Sequence, residues 1–218
     1  MARLLLLLAA LMATGTTVSA HPDDVVRLRV DVQPRELGFR FTLNLPCLAR
    51  FCPLDSNGDG SVGGLELEAA RPALALALQR HVRLEIDGAP ADLGEITQLE
   101  TLWPKGQSAP PHDSGRLVDL HFQARHPLAV ADFCLAFDLF ETLGPLARVE
   151  AEYVQEDMVL NVPFSFNARR YRHVTGYAAE AFFSQPAESV RTRTWLTAGL
   201  LLAGFVSLAL QLARRRRS

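Results

Sequence analysis

Catalytic signatures are scarce in this chain. Its 218 residues contain no G-x-S-x-G elbow, no H-E-x-x-H pair and no G-x-x-x-x-G-K phosphate loop. The usual sequence routes to a serine hydrolase, a zinc protease or a nucleotide hydrolase are therefore missing. Carboxylates cluster at Asp23-Asp24 and at Glu150, Glu152, Glu156 and Asp157, but nothing separates them from a solvated surface, and the chain reads as a non-enzyme. A positive surface is also lacking. Residues 21–194 hold all 24 acidic residues but only 17 of the 22 basic ones, a net charge of −7. Such a domain repels nucleic acid and gathers cations. Cysteine is limited to Cys47, Cys52 and Cys134, too few to staple a disulfide-dense scaffold and not a zinc pattern by themselves.

What the chain does carry is one dense run of oxygen donors. Residues 55–66 read D-S-N-G-D-G-S-V-G-G-L-E, a full match to the twelve-residue EF-hand calcium loop D-x-[DN]-x-[DN]-G-x5-E. Asp55, Asn57, Asp59 and Glu66 occupy positions 1, 3, 5 and 12. Gly60 stands at position 6, where the chain turns sharply, and Val62 is the apolar residue of position 8. A hard divalent ion takes six to eight oxygens at about 2.3–2.6 Å, and this spacing wraps one short loop around it. Ser61 adds its backbone carbonyl at position 7, and water replaces the side chain that Gly63 lacks at position 9. Asp, Asn, Gly and Ser are ordinary turn residues too. A turn, however, has no cause to place Glu at position 12 or an apolar residue at position 8. Calcium is the expected ligand, held weakly because Gly58, Gly63 and Gly64 lose much freedom on ordering.

Both ends are membrane-directed. Residues 1–20 run from Arg3 through a leucine-rich core to Val18-Ser19-Ala20. This has the form of a cleaved secretory signal, which makes His21 the mature N-terminus. Residues 195–213 carry no charge and precede Arg214 to Arg217. At helical rise, a run of that length spans a hydrocarbon core of about 30 Å. The arginines of the 214–218 tail stay cytoplasmic under the positive-inside rule. The expectation is one transmembrane helix, with the domain of residues 21–184 in the bacterial periplasm or at the cell surface and a linker over 185–194. A short apolar helix plus arginines also ends exosortase substrates, but their Pro-Glu-Pro signature is absent. The nearest text is Gln185-Pro186-Ala187-Glu188.

In that compartment a disulfide is the default for the cysteines, with one thiol left over. Cys47 and Cys52 are five apart and cannot bridge on a regular helix. Either their segment is irregular or one of them pairs with Cys134.

The outer domain reads mostly as strands. Apolar residues alternate over 25–32 and again over 38–45, a hairpin turning at 34–36. Further strands are expected at 83–86, 96–102, 116–123, 133–140, 148–153 and 158–166, with Asp87-Gly88 as a tight turn. Residues 103–115, with Pro104, Gly106, Pro110 and Pro111, form an exposed loop. The fold class is α+β: a mostly antiparallel β-sandwich with an EF-hand-like helix-loop-helix insert at 46–82 and the C-terminal transmembrane helix. Within the insert, Pro53 shortens the entering helix and Pro72 breaks or kinks the exiting one near Arg71.

The remaining polar residues are weaker signals. His21 offers an α-amine beside an imidazole, a pair that copper and nickel sites use; Pro22 then removes an amide such sites recruit. His81 closes the exiting helix, where a cation suits the dipole. His112, His121, His126 and His173 are dispersed. Arg169-Arg170-Tyr171-Arg172 is a small basic patch.

The stretch D-S-N-G-D-G followed by L-E-L-E-A-A-R-P-A-L and a strand ending I-D-G resembles the extracytoplasmic N-terminal domain of bacterial nickel-cobalt permease-type accessory proteins of hydrogenase and urease clusters. There, an EF-hand-like loop interrupts a β-rich domain ahead of a multispan membrane region. This chain departs from that family in having one expected span and no intramembrane histidines, so transport by it alone is not implied. Three functions follow: a membrane-anchored calcium-binding protein whose ion is structural and whose β domain faces a partner; an accessory subunit of a nickel- or cobalt-type transporter; and a calcium-dependent interaction module.

Overall fold

Period-two alternation builds the first hairpin. In β1 (Val25–Gln33), Val26, Leu28, Val30 and Val32 are buried; in β2 (Glu36–Asn44), Leu37, Phe39, Phe41 and Leu43 are. Successive side chains of a strand point to opposite faces, so each strand turns one apolar face to the core. The two pair antiparallel from Arg27↔Thr42 to Gln33↔Glu36. These coordinates are a computed structural model describing residues 25–104 and 109–177. The compact unit ends at Thr175. The expected signal, linker, membrane span and tail lie outside the described residues. Among the described residues no helix is long and apolar enough to cross a membrane.

Two sheets share the core. The larger has the order β5-β6-β2-β1-β8-β9, adding β5 (Ile96–Thr101), β6 (Leu117–Arg125), β8 (Arg148–Gln155) and β9 (Met158–Phe164) to the hairpin. The smaller has the order β10-β7-β3-β4, from β3 (Val82–Ile86), β4 (Ala89–Ala91), β7 (Asp132–Phe137) and β10 (Arg170–Val174). Neighbours are antiparallel except β1 and β8, which run parallel. Rings from both sheets meet between them. Phe133 of β7 stacks on Tyr153 of β8 at 5.7 Å, and Phe137 of β7 meets Phe164 of β9 edge-on at 4.6 Å. Each ring so buried contributes about 1.5–3 kcal/mol. The protein is a mostly β, α+β fold with few helices.

Among the described residues, three helices, two of them about one turn long, complete it. Asn44 caps α1 (Leu45–Ala49) by accepting the Cys47 amide at 2.8 Å. The entering helix is thus a single turn. α2 (Gly64–His81) follows the loop and buries Leu67, Leu74, Ala77 and Leu78. α3 (Phe140–Leu143) follows β7.

Several expectations need correction. Pro72 does not break α2, which stays helical through it. The bond it forfeits would have reached the Glu68 carbonyl, and both residues are solvent-exposed, where a lost helix bond costs less than in a core. The strand expected over 133–140 stops at Phe137 and turns into α3. The basic patch at Arg170-Tyr171-Arg172 belongs to strand β10, paired along β7. No disulfide links the three cysteines: Cys47 and Cys134 are buried thiols and Cys52 is half-buried. Cys47 lies in α1 beside the larger sheet, whereas Cys134 lies inside β7 and accepts the Arg170 Nε at 2.9 Å.

Candidate metal centre

The loop between α1 and α2 is held by its own carboxylates. Asp55 turns both oxygens onto backbone amides: Oδ2 accepts Gly60 N at 2.8 Å, while Oδ1 accepts Gly58 N at 2.7 Å and Asp59 N at 3.2 Å. Asn57 Oδ1 accepts Asp59 N and Asp59 Oδ1 accepts Ser61 N, each at 2.8 Å. This winding needs left-handed backbone at Gly58 (φ 75°) and Gly60 (φ 81°), where a side chain is strained. Glu66, in the first turn of α2, joins the two ends. Its Oε1 accepts Ser56 N at 2.9 Å and its Oε2 accepts Gly63 N, at the helix N-cap, at 2.9 Å.

These bonds favour ionised carboxylates. The Gly60 amide, helped by those of Gly58 and Asp59 and by nearby His112, holds the Asp55 carboxyl below its usual range. The Gly63 amide, with the amide and hydroxyl of Ser56, does the same for Glu66.

The donor set suits a hard cation. Three carboxylates, one side-chain amide oxygen and one peptide carbonyl are all oxygen, which is calcium chemistry and not that of zinc or copper. Carboxylate oxygens accept more than one bond each, so oxygens engaged with amides keep lone pairs for an ion. The loop carboxylates of Asp55, Asp59 and Glu66 do not gather as a set within 4.8 Å of one another. Asp59 Oδ2 is instead turned to the Asn57 amide at 3.0 Å. Coordination would redirect it.

Residues 110–112 were expected to be exposed loop, yet they brace the site. Val62 N donates to Pro110 O at 2.9 Å and His112 N donates to Gly60 O at 3.1 Å, an antiparallel bridge centred on Ser61 and Pro111. His112 Nδ1 also lies 3.2 Å from Gly60 O. Val62 is fully buried and Pro110 is buried. In such a bridge the central residue keeps its carbonyl out of the pairing, and among the described residues no hydrogen bond reaches Ser61 O. That carbonyl is the one position 7 must offer. The loop is therefore braced by an isolated bridge to the segment after β5.

The spacing Gly58-x-Gly60-x-x-Gly63 also satisfies G-x-G-x-x-G. A dinucleotide turn needs a strand before it and a parallel strand after its helix. Here α1 precedes, and α2 leads into β3, whose neighbours are both antiparallel.

Other histidines serve elsewhere. His81 Nε2 lies 3.4 Å from Thr142 Oγ1, and its ring packs on Phe51. His126 Nδ1 lies 3.1 Å from Leu128 O. His173 is buried against Phe133 and Tyr153, its Nε2 3.0 Å from Gln155 Oε1. His21 lies outside the described residues. Among the described residues, His121 joins two acidic side chains, Glu100 and Asp119, in one cluster; nothing in their linear spacing marks them, because strand register brings them together. No protein-family model matches the chain, and no curated protein matches it.

Proposed function

We propose that this protein is a membrane-anchored, extracytoplasmic calcium-binding protein in which the ion staples the 46–82 insert to a β-sandwich domain that faces a partner. One observation carries the proposal. The segment 55–66 has the ligand spacing of an EF-hand loop, and its position-8 residue Val62 is tied to Pro110 by a backbone hydrogen bond that braces the loop. The ion is bound by Asp55, Asn57, Asp59, the Ser61 carbonyl and Glu66, with water completing the shell. The apolar segment 195–213 and the arginines after it support the anchor, and the leader at 1–20 supports export. Rings shared between the two sheets support the sandwich.

A structural role fits better than a switch. A calcium switch opens two well-formed helices to expose a groove, and here the entering helix is a single turn. With a dissociation constant near 10⁻⁴ M and calcium about ten times that, binding stabilises the fold by ~1.4 kcal/mol. For a domain of this size the melting temperature rises by about 3–6 °C. Thermal unfolding with calcium and with chelator tests this, and coincident curves would end the proposal.

A further inference from the structure

The outer face of the six-stranded sheet holds a second constellation. Glu100 of β5 lies directly opposite Asp119 of β6, and His121 follows two residues later on the same face of β6. One ligand atom from each of Glu100, Asp119 and His121 comes within 4.8 Å of the others. The environment leaves this group unbalanced. Asp119 is only 6 % exposed and receives a single side-chain hydrogen bond, from Thr42 Oγ1. Like charges directly opposite on neighbouring strands repel. Yet among the described residues no arginine, lysine or histidine nitrogen lies within 4.0 Å of either carboxylate. His121 Nε2 is enclosed and has no hydrogen-bond partner. A buried carboxylate without a counter-charge and a buried ring nitrogen without a partner are each costly.

We propose that Glu100, Asp119 and His121 form a second metal site, for a divalent transition ion of the zinc class. A cation among the three neutralises the facing carboxylates and gives the imidazole its missing partner. A proton shared between the carboxylates would relieve only the first problem. Atoms this close reach the bonding distance of about 2.0–2.2 Å by small side-chain rotations. One imidazole nitrogen with two carboxylate oxygens is a borderline donor set that zinc, cobalt, nickel or manganese accept, whereas calcium prefers oxygen alone. Glu100 is exposed, so the ion enters from solvent. Three protein ligands also leave a coordination position for water or for an incoming donor. The calcium proposal is separate, since no residue is shared.

Cobalt(II) tests the site through its visible absorption. The untagged full chain, in detergent and with calcium at saturation, should bind one cobalt per chain in a form that zinc displaces. Loss of even an outer-shell partner weakens metal sites about 10–100-fold, so His121→Gln should weaken binding about 100-fold. Glu100→Gln, at an exposed position where folding is not at stake, should weaken it at least about 10-fold by the same measure. Glu66→Gln should leave cobalt binding intact while removing calcium binding. The proposal is overturned if the chain binds no cobalt at millimolar concentration, if His121→Gln and Glu100→Gln bind as well as the parent, or if His21→Ala alone abolishes the signal.

Discussion

The observed role of Glu66 and its proposed one separate experimentally. It clasps Ser56 and Gly63 in the protein as described, and in the calcium-loaded protein it would close the coordination shell. Glu66→Gln should therefore abolish the calcium-dependent rise in melting temperature and also lower the melting temperature in chelator. Scanning calorimetry of both proteins with and without calcium checks both effects. A pH effect is expected at His173. Burial lowers its pKa below the ordinary value, so the unfolded chain takes up that proton first as the medium is acidified. Stability is then complete above about pH 6.5 and declines as pH falls from there toward the depressed folded value. His173→Gln should flatten that part of the stability curve, as read by denaturant titration at a series of pH values.

Among the elements, α2 offers the clearest test. Pro72 sits mid-helix and exposed, where proline is about 3 kcal/mol worse than alanine. Pro72→Ala should stabilise the domain by about 2–3 kcal/mol, visible as a higher urea midpoint. The bridge between the 55–66 loop and residues 110–112 predicts slow amide exchange at Val62 and His112. Truncating buried Val62 to alanine should cost about 1–3 kcal/mol and weaken calcium binding with it. Elements with local signals could be read in advance. The alternation of β1 and β2 gave their bounds to within a residue or two, and Asp87-Gly88 announced the turn that the structure builds with both residues at positive φ. Elements set by partners could not be read. β10 alternates charged residues, so only its pairing with β7 makes it a strand. β4 is three residues around a proline, paired to β3. Pro72 misled because the local rule ignores the packing of Leu67, Leu74, Ala77 and Leu78, which holds the helix together on either side of it. The candidate calcium ligands could be proposed from sequence because all five lie in one loop. The brace at 110–112 and the set Glu100, Asp119 and His121 could not, because each depends on which distant segment lies alongside.

For the whole molecule, residues 21–194 carry a net charge of −7, a balance that gathers cations. The domain has a core of its own between two sheets, so on the proposed reading an ion would add to stability without creating the fold. The chain should stay folded in chelator, unlike a zinc finger, which unfolds without its metal. The most direct measurement is calorimetric titration of calcium into the full chain and into Glu66→Gln. One calcium per chain with a dissociation constant on the order of 10⁻⁴ M, lost in the variant, is the predicted result. No binding at millimolar calcium, or equal binding by the variant, would contradict it.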